Sequence, residues 1–207
     1  MNKVIFTAIL LFIVISLLII TKENKENSHE PMLKETSVIL AFGDSLTYGF
    51  GASHEFSYPK QIQMKTGVKV INAGINGELT SEGLLRLPRL LEHKPDLVIL
   101  CHGGNDILNK IPSSELKNNL LVMIKLIQDS GVKVLLVSVP DFALVTFHAH
   151  AIYEEVANET SVLFEDNVLE HIERNRSLKS DYVHPNAKGY EVMADAFIEI
   201  LGIKTIK

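Results

Sequence analysis

Residues 39–53 read ILAFGDSLTYGFGAS. Ile39 to Phe42 are apolar without polar alternation, which suits a strand buried on both faces. The run ends in Gly43-Asp44-Ser45, and the chain then turns through small and polar residues. A serine hydroxyl is a weak nucleophile until a base takes its proton. The stretch therefore has catalytic meaning only if the rest of the chain supplies a base, a group to orient it and donors for an oxyanion.

Further strands are expected at Val68–Asn72, Leu97–Cys101, Val132–Val139 and Ser161–Phe164, with the first at Val38–Phe42. Helical patterns lie between them. Leu116, Leu120, Met123, Ile124 and Ile127 share one helical stripe, opened by Pro112-Ser113 and closed by Gly131. Tyr190, Met193, Ala194, Phe197 and Leu201 form another, and Glu82–His93 a third, with a bend or restart expected near Pro88. Repeated strand–helix alternation predicts an α/β protein, a three-layer α/β/α sandwich around a five-stranded parallel sheet. The expected strand order is the flavodoxin-like 2-1-3-4-5, which places a site at the carboxyl ends of the strands.

The 207 residues are 46% apolar and 22% charged, enough for one domain with a sizeable core. A net charge of −5, with no Lys/Arg cluster, argues against nucleic acid as a partner. The single cysteine, Cys101, excludes an intrachain disulfide and is expected to be a packed thiol. Val4–Ile20 is almost wholly apolar and follows Lys3, the pattern of an export or membrane signal. Residues 1–21 are expected to be a signal peptide or a signal-anchor. The absence of a small-x-small cleavage site before TKENKENSHEP favours the anchor, and a helix over 4–20 would span roughly 25 Å. Residues 22–36 read as a polar tether and 37–207 as the catalytic domain. The domain is expected to be exported, periplasmic or membrane-anchored outside the cytoplasm, with membrane association through residues 4–20, and monomeric.

Polar motifs follow the strand ends: Gly43–Thr47, NAGINGELT at 72–80 and HGGND at 102–106, with DYVHPNAKG at 181–189 leading into the last helix. Ser45 is the candidate nucleophile and His184 the base, since imidazole titrates near neutrality. Asp181, three residues before His184, can reach the second imidazole nitrogen and fix its tautomer. Candidate oxyanion donors are the Ser45 N–H at a helix start, the Asn105 amide and a backbone N–H at Gly77 or Gly74, with Gly77 favoured. Thr47 stands where the α/β-hydrolase elbow G-x-S-x-G has its last glycine, which excludes that motif.

The four blocks FGDSLT, NAGINGELT, GGND and DYVHPN, in this order, resemble those of SGNH (GDSL) hydrolases, in the bacterial thioesterase/lysophospholipase/arylesterase branch. The resemblance covers Ser37 to about Leu201. It implies the SGNH hydrolase fold, Ser45 as nucleophile, Gly77 and Asn105 as oxyanion donors beside the Ser45 N–H, and Asp181 with His184 completing the triad. The implied activity is hydrolysis of carboxylic and thio-esters through an acyl-enzyme, on a small-molecule or lipid acyl ester, with no cofactor. A carbohydrate O-deacetylase of the cell envelope is the alternative enzyme, and a non-catalytic membrane-anchored binding protein the alternative of another class. Four positions depart from the family pattern: Gly74 and Glu78 where Ser and Asp are common, and Cys101-His102 where an acidic and an apolar residue are common.

Asp44 and Asp106 are expected to brace loops through backbone N–H groups. His148 and His150, two residues apart, do not share a helix face, and no second ligand motif accompanies them and Glu154, so no metal is expected there. Phe142, Leu144, Val145 and Phe147 are candidates for an apolar substrate wall after the fourth strand.

Overall fold

The structure is a computed structural model that describes residues 33–34, 36–141 and 151–206. The expected leader, nearly all of the tether, and Phe142, Leu144, Val145, Phe147, His148 and His150 lie outside the described residues. Five strands form one parallel sheet: β1 (Val38–Gly43), β2 (Lys69–Gly74), β3 (Leu97–Cys101), β4 (Lys133–Val137) and β5 (Leu163–Glu165). Their order is β2-β1-β3-β4-β5, as the alternation predicts.

The helices are α1 (Ser45–Tyr48), α2 (Tyr58–Thr66), α3 (Thr80–Leu91), α4 (Gly104–Leu108), α5 (Ser113–Asp129), α6 (Ala151–Thr160), α7 (Val168–Glu173) and α8 (Ala187–Leu201). One layer packs α2 and α7 against α8; the other packs α3 and α6 against α5. The sheet lies between them. Every residue from Ile39 to Phe42 and from Leu97 to Cys101 is fully buried, which explains the unbroken apolar runs. Tyr58 meets Phe197 edge-to-face at 5.0 Å, an aromatic contact that ties α2 to α8.

Several boundaries differ from expectation, among them β4, which ends at Val137 and not at Val139. β2 runs two residues further, so that Gly74 pairs with Gly43 beside the serine turn. β5 starts later because Ser161, at φ 53°, still closes α6 through its N–H to the Ala157 carbonyl (2.8 Å). α3 begins at Thr80, with the Glu82 carboxylate reaching back to the Leu79 N–H (2.9 Å), and continues unbroken through Pro88. Glu82 thus caps the helix instead of opening it.

Chain direction reverses across β1: the connection from β1 leads to β2 on one side, and the next crosses to β3 on the other. The carboxyl ends of β1 and β3 therefore flank the crevice where such sheets bind ligands. Ser45 follows β1 and Asn105 follows β3.

Candidate active site

Gly43 ends β1 where no side chain fits. A Cβ there would lie 1.8 Å from the Cys101 carbonyl oxygen and 2.5 Å from Thr47 Oγ1. The close approach lets α1 start at Ser45 beside the end of β3. Asp44 is buried and accepts hydrogen bonds from the Leu46 N–H (3.1 Å) and the Gly104 N–H (3.2 Å). It thus pins the serine turn to the start of α4, as expected of a bracing carboxylate. Burial pushes its carboxyl above the ordinary range, against those hydrogen bonds. Asp106 braces a second pair of loops, accepting from the Thr80 N–H (2.9 Å) and hydroxyl (2.5 Å).

The triad turn lies between α7 and α8. Asp181 Oδ1 accepts the N–H groups of Val183 (2.8 Å) and His184 (2.7 Å), which folds the segment into a turn. Asp181 Oδ2 stands 2.8 Å from His184 Nδ1, and His184 Nε2 stands 3.0 Å from Ser45 Oγ. A carboxylate can only accept, so the proton is on Nδ1. Nε2 is then the free acceptor that faces the Ser45 hydroxyl. Burial raises the Asp181 pKa and the three hydrogen bonds lower it; the net shift is downward, so the carboxyl is ionised at neutral pH.

The candidate oxyanion donors come from three loops. Gly77 has φ +78°, a left-handed conformation that favours glycine, and space around its Cβ position is open. Gly74 gives its N–H to Asn72 Oδ1 (3.0 Å). Among the described residues the Gly77 N–H has no acceptor, so the geometry favours Gly77 over Gly74. Asn105 Nδ2 donates one hydrogen to the Glu78 carbonyl (3.1 Å), which leaves its second hydrogen for a ligand. α1 has only four residues, so the Ser45 N–H offers a local donor more than a helix dipole.

Ser45, His184 and Asp181 are therefore brought together, and Asn105 and Gly77 stand on neighbouring loops. Cys101 is fully buried, and burial pushes its thiol well up, consistent with a packed thiol. Among the described residues no cluster of His, Cys, Asp or Glu is arranged to hold a metal ion. Sequence reasoning missed several supporting groups. The Phe50 ring lies 4.6 Å from the His184 ring, and its carbonyl accepts the Tyr190 hydroxyl (2.7 Å). Lys179 pairs with Glu173 and donates to the Tyr182 carbonyl (2.5 Å), bracing the triad turn. Arg86 grips both Glu78 oxygens at 2.5 Å. Only Phe50 had a visible signal, a bulky aromatic between two glycines.

Residues 41–192 match the GDSL-like lipase/acylhydrolase family. The chain is 33% identical over 168 residues to an arylesterase of Vibrio mimicus, covering 76% of this chain and 84% of that protein. It is 28% identical over 165 residues to thioesterase 1/protease 1/lysophospholipase L1 of Escherichia coli K12, covering 76% and 79%. The psychrotrophic esterase EstA of Pseudoalteromonas sp., solved in a form inhibited by monoethylphosphonate, superposes with a TM-score of 0.71. That pair shares 25% identity, over 80% of this chain and 97% of the other.

Proposed function

The chain belongs to the GDSL-like lipase/acylhydrolase family, and from that membership and its triad we propose that it hydrolyses carboxylic and thio-esters through an acyl-Ser45 intermediate. The observation that carries the mechanism is the series Asp181–His184–Ser45, linked at 2.8 and 3.0 Å. Ser45 Oγ attacks the acyl carbonyl as His184 Nε2 takes its proton. Asp181 holds the imidazole in the tautomer with Nε2 unprotonated and stabilises the imidazolium that forms. The carbonyl oxygen becomes negative between the Ser45 and Gly77 N–H groups and the Asn105 amide. His184 then gives the proton to the leaving alcohol or thiol. Water attacks the acyl-enzyme with His184 again as base, which regenerates Ser45.

The substrate class is an acyl ester of the kinds named for the relatives: an aryl ester, an acyl thioester or a lysophospholipid. Mass spectrometry after treatment with a p-nitrophenyl alkylphosphonate tests the nucleophile. One equivalent should add to a peptide containing Ser45, and Ser45→Ala should abolish both labelling and turnover while changing stability by about 1 kcal/mol or less. Wild-type turnover by that variant would refute the assignment.

A further inference from the structure

His102 is fully buried, stands at the end of β3 and takes no part in the mechanism above. Its Nδ1 accepts the Gly103 N–H (2.9 Å). A nitrogen that accepts carries no proton, so the ring is neutral and its proton is on Nε2. Nε2 lies 3.1 Å from Glu78 Oε2 and therefore donates to it. The 3.9 Å approach of Asp44 Oδ2 to Nδ1 is then a contact between an acceptor and a proton-free nitrogen, not an ion pair.

Glu78 is one residue from the Gly77 donor, and its carbonyl receives the Asn105 amide. Its carboxylate is held on the other side by Arg86. That guanidinium also donates to the carbonyls of Gly43 (3.2 Å) and Ala73 (2.9 Å) and lies over the Phe42 ring at 4.2 Å. Through one carboxylate, the ends of β1, β2 and β3 are joined. Glycine at position 83 makes room for the pair: a Cβ there would lie 2.5 Å from His102 Nε2 and 3.3 Å from Glu78 Oε2.

We infer that His102 and Glu78 are positioning residues for the oxyanion hole: the neutral imidazole holds the Glu78 carboxylate, and thereby the spacing between the Gly77 N–H and the Asn105 amide. The two departures from the family pattern at 78 and 102 are then one coupled feature, because a glutamate at 78 contacts the imidazole at 102. This rests on the proposed Ser45 mechanism. It predicts that loosening the tether harms the transition state and leaves ground-state binding alone.

The test compares two isosteres. In His102→Gln the amide nitrogen takes the place of Nε2 and keeps the donor to Glu78. In His102→Asn the amide oxygen takes the place of Nδ1 and keeps only the acceptor for Gly103. The readouts are kcat and KM on p-nitrophenyl butyrate and the Ki of phenylboronic acid, whose tetrahedral adduct on serine resembles the oxyanion. His102→Asn should lower kcat about 10- to 100-fold with KM unchanged and raise Ki by a similar factor. His102→Gln should stay within about threefold of wild type on both. Gly83→Ala is the second variant: its methyl meets His102 Nε2 and pushes the imidazole off Glu78, alanine's helix propensity offsets part of the packing cost, and in the folded variant, checked by its melting curve, kcat should fall and Ki should rise. Recovery by Asn instead of Gln, a change in KM alone, or wild-type kcat and Ki for Gly83→Ala would overturn the inference. Ser45→Ala run in parallel separates this from failure of the mechanism, since turnover by that variant would refute the nucleophile whatever His102 does.

Discussion

Replacing Asn105 with alanine separates a structural amide from a catalytic one. The structural loss is small. Among the described residues the side chain makes one hydrogen bond, to the Glu78 carbonyl at 3.1 Å, and the residue is only partly buried. Losing such a bond costs about 1 kcal/mol, and alanine returns a few tenths through helix propensity. α4 keeps its backbone bonds, including Ile107 N–H to Gly103 (3.1 Å) and Asn109 N–H to Asn105 (2.9 Å). Melting temperature should therefore fall by only about 2–4 °C. The catalytic loss is larger, because the second amide hydrogen meets its acceptor fully only once the carbonyl oxygen is negative. Removing one such donor costs about 3–4 kcal/mol, or 100- to 1000-fold in kcat. Initial rates on p-nitrophenyl butyrate, across a concentration series that brackets KM, should show kcat reduced by that factor and KM nearly unchanged. A raised KM with wild-type kcat would make Asn105 a ground-state binder. A melting temperature lowered by 10 °C or more would make it a structural residue. Either result refutes the role given to it.

Asp181→Asn should keep the turn, since an amide oxygen can still accept from Val183 and His184, but its NH2 would face Nδ1 and drive the proton to Nε2; kcat should fall by about 10⁴-fold, as seen by steady-state assay. The Asp181 carboxyl has a folded pKa below its ordinary 3.8, so the stability it contributes is full above that value and lost as pH falls through the lower one; acid-unfolding curves of wild type and Asp181→Asn should converge in that window. A p-nitrophenyl ester series from acetyl to palmitoyl should show kcat/KM rising with acyl length, by up to about 0.8 kcal/mol for each CH₂ buried, and Phe142→Ala with Leu144→Ala should flatten the rise; a steady fall from acetyl would favour the O-deacetylase alternative. A reporter enzyme that works only in an exported compartment, fused after Lys207, should be active in cells, and activity of a cytosol-only reporter would refute export through residues 1–21.

The parts of the site that could be read in the sequence are those carried by local chemistry. Val38–Phe42 and Leu97–Cys101 announce buried strands because both of their faces are covered. Asp181 and His184 are three residues apart, so one short turn suffices to join them. The supporting groups arise from contacts distant in sequence. Glu78 and His102 are 24 residues apart and meet only because β2 and β3 flank β1. Tyr190 and Phe50 are 140 apart and meet only because α8 returns beside the first loop. The end of β2 was also hidden, because Ala73 and Gly74 have little strand propensity and are held there by register with Phe42 and Gly43.

The two halves of the machinery are supported separately. The proposed nucleophile and oxyanion donors rest on polar bonds at the carboxyl ends of the strands, buried from Asp44 to Gly104, from Asp106 to Thr80 and from Glu78 to His102, and part-buried from Glu78 to Arg86. The base and its orienter sit on a more exposed turn, closed by the Ser180 N–H on the His184 carbonyl (2.9 Å) and continued into α8. Asn186 caps that helix, accepting from Lys188 and Gly189 while donating to the Ser177 (2.9 Å) and Lys179 (3.1 Å) carbonyls. The halves meet at the 3.0 Å contact of His184 with Ser45, a single bond too weak to hold two loops in register alone. Tyr190 supplies a second link. It is rooted in α8 and holds the backbone of Phe50, whose ring packs tilted against the imidazole at 4.6 Å. The imidazole is thus steadied from the serine side by a tilted aromatic ring that carries no proton. Such a support would keep the imidazole in place while its charge changes, as the proposed mechanism, in which it takes and returns a proton twice per turnover, requires.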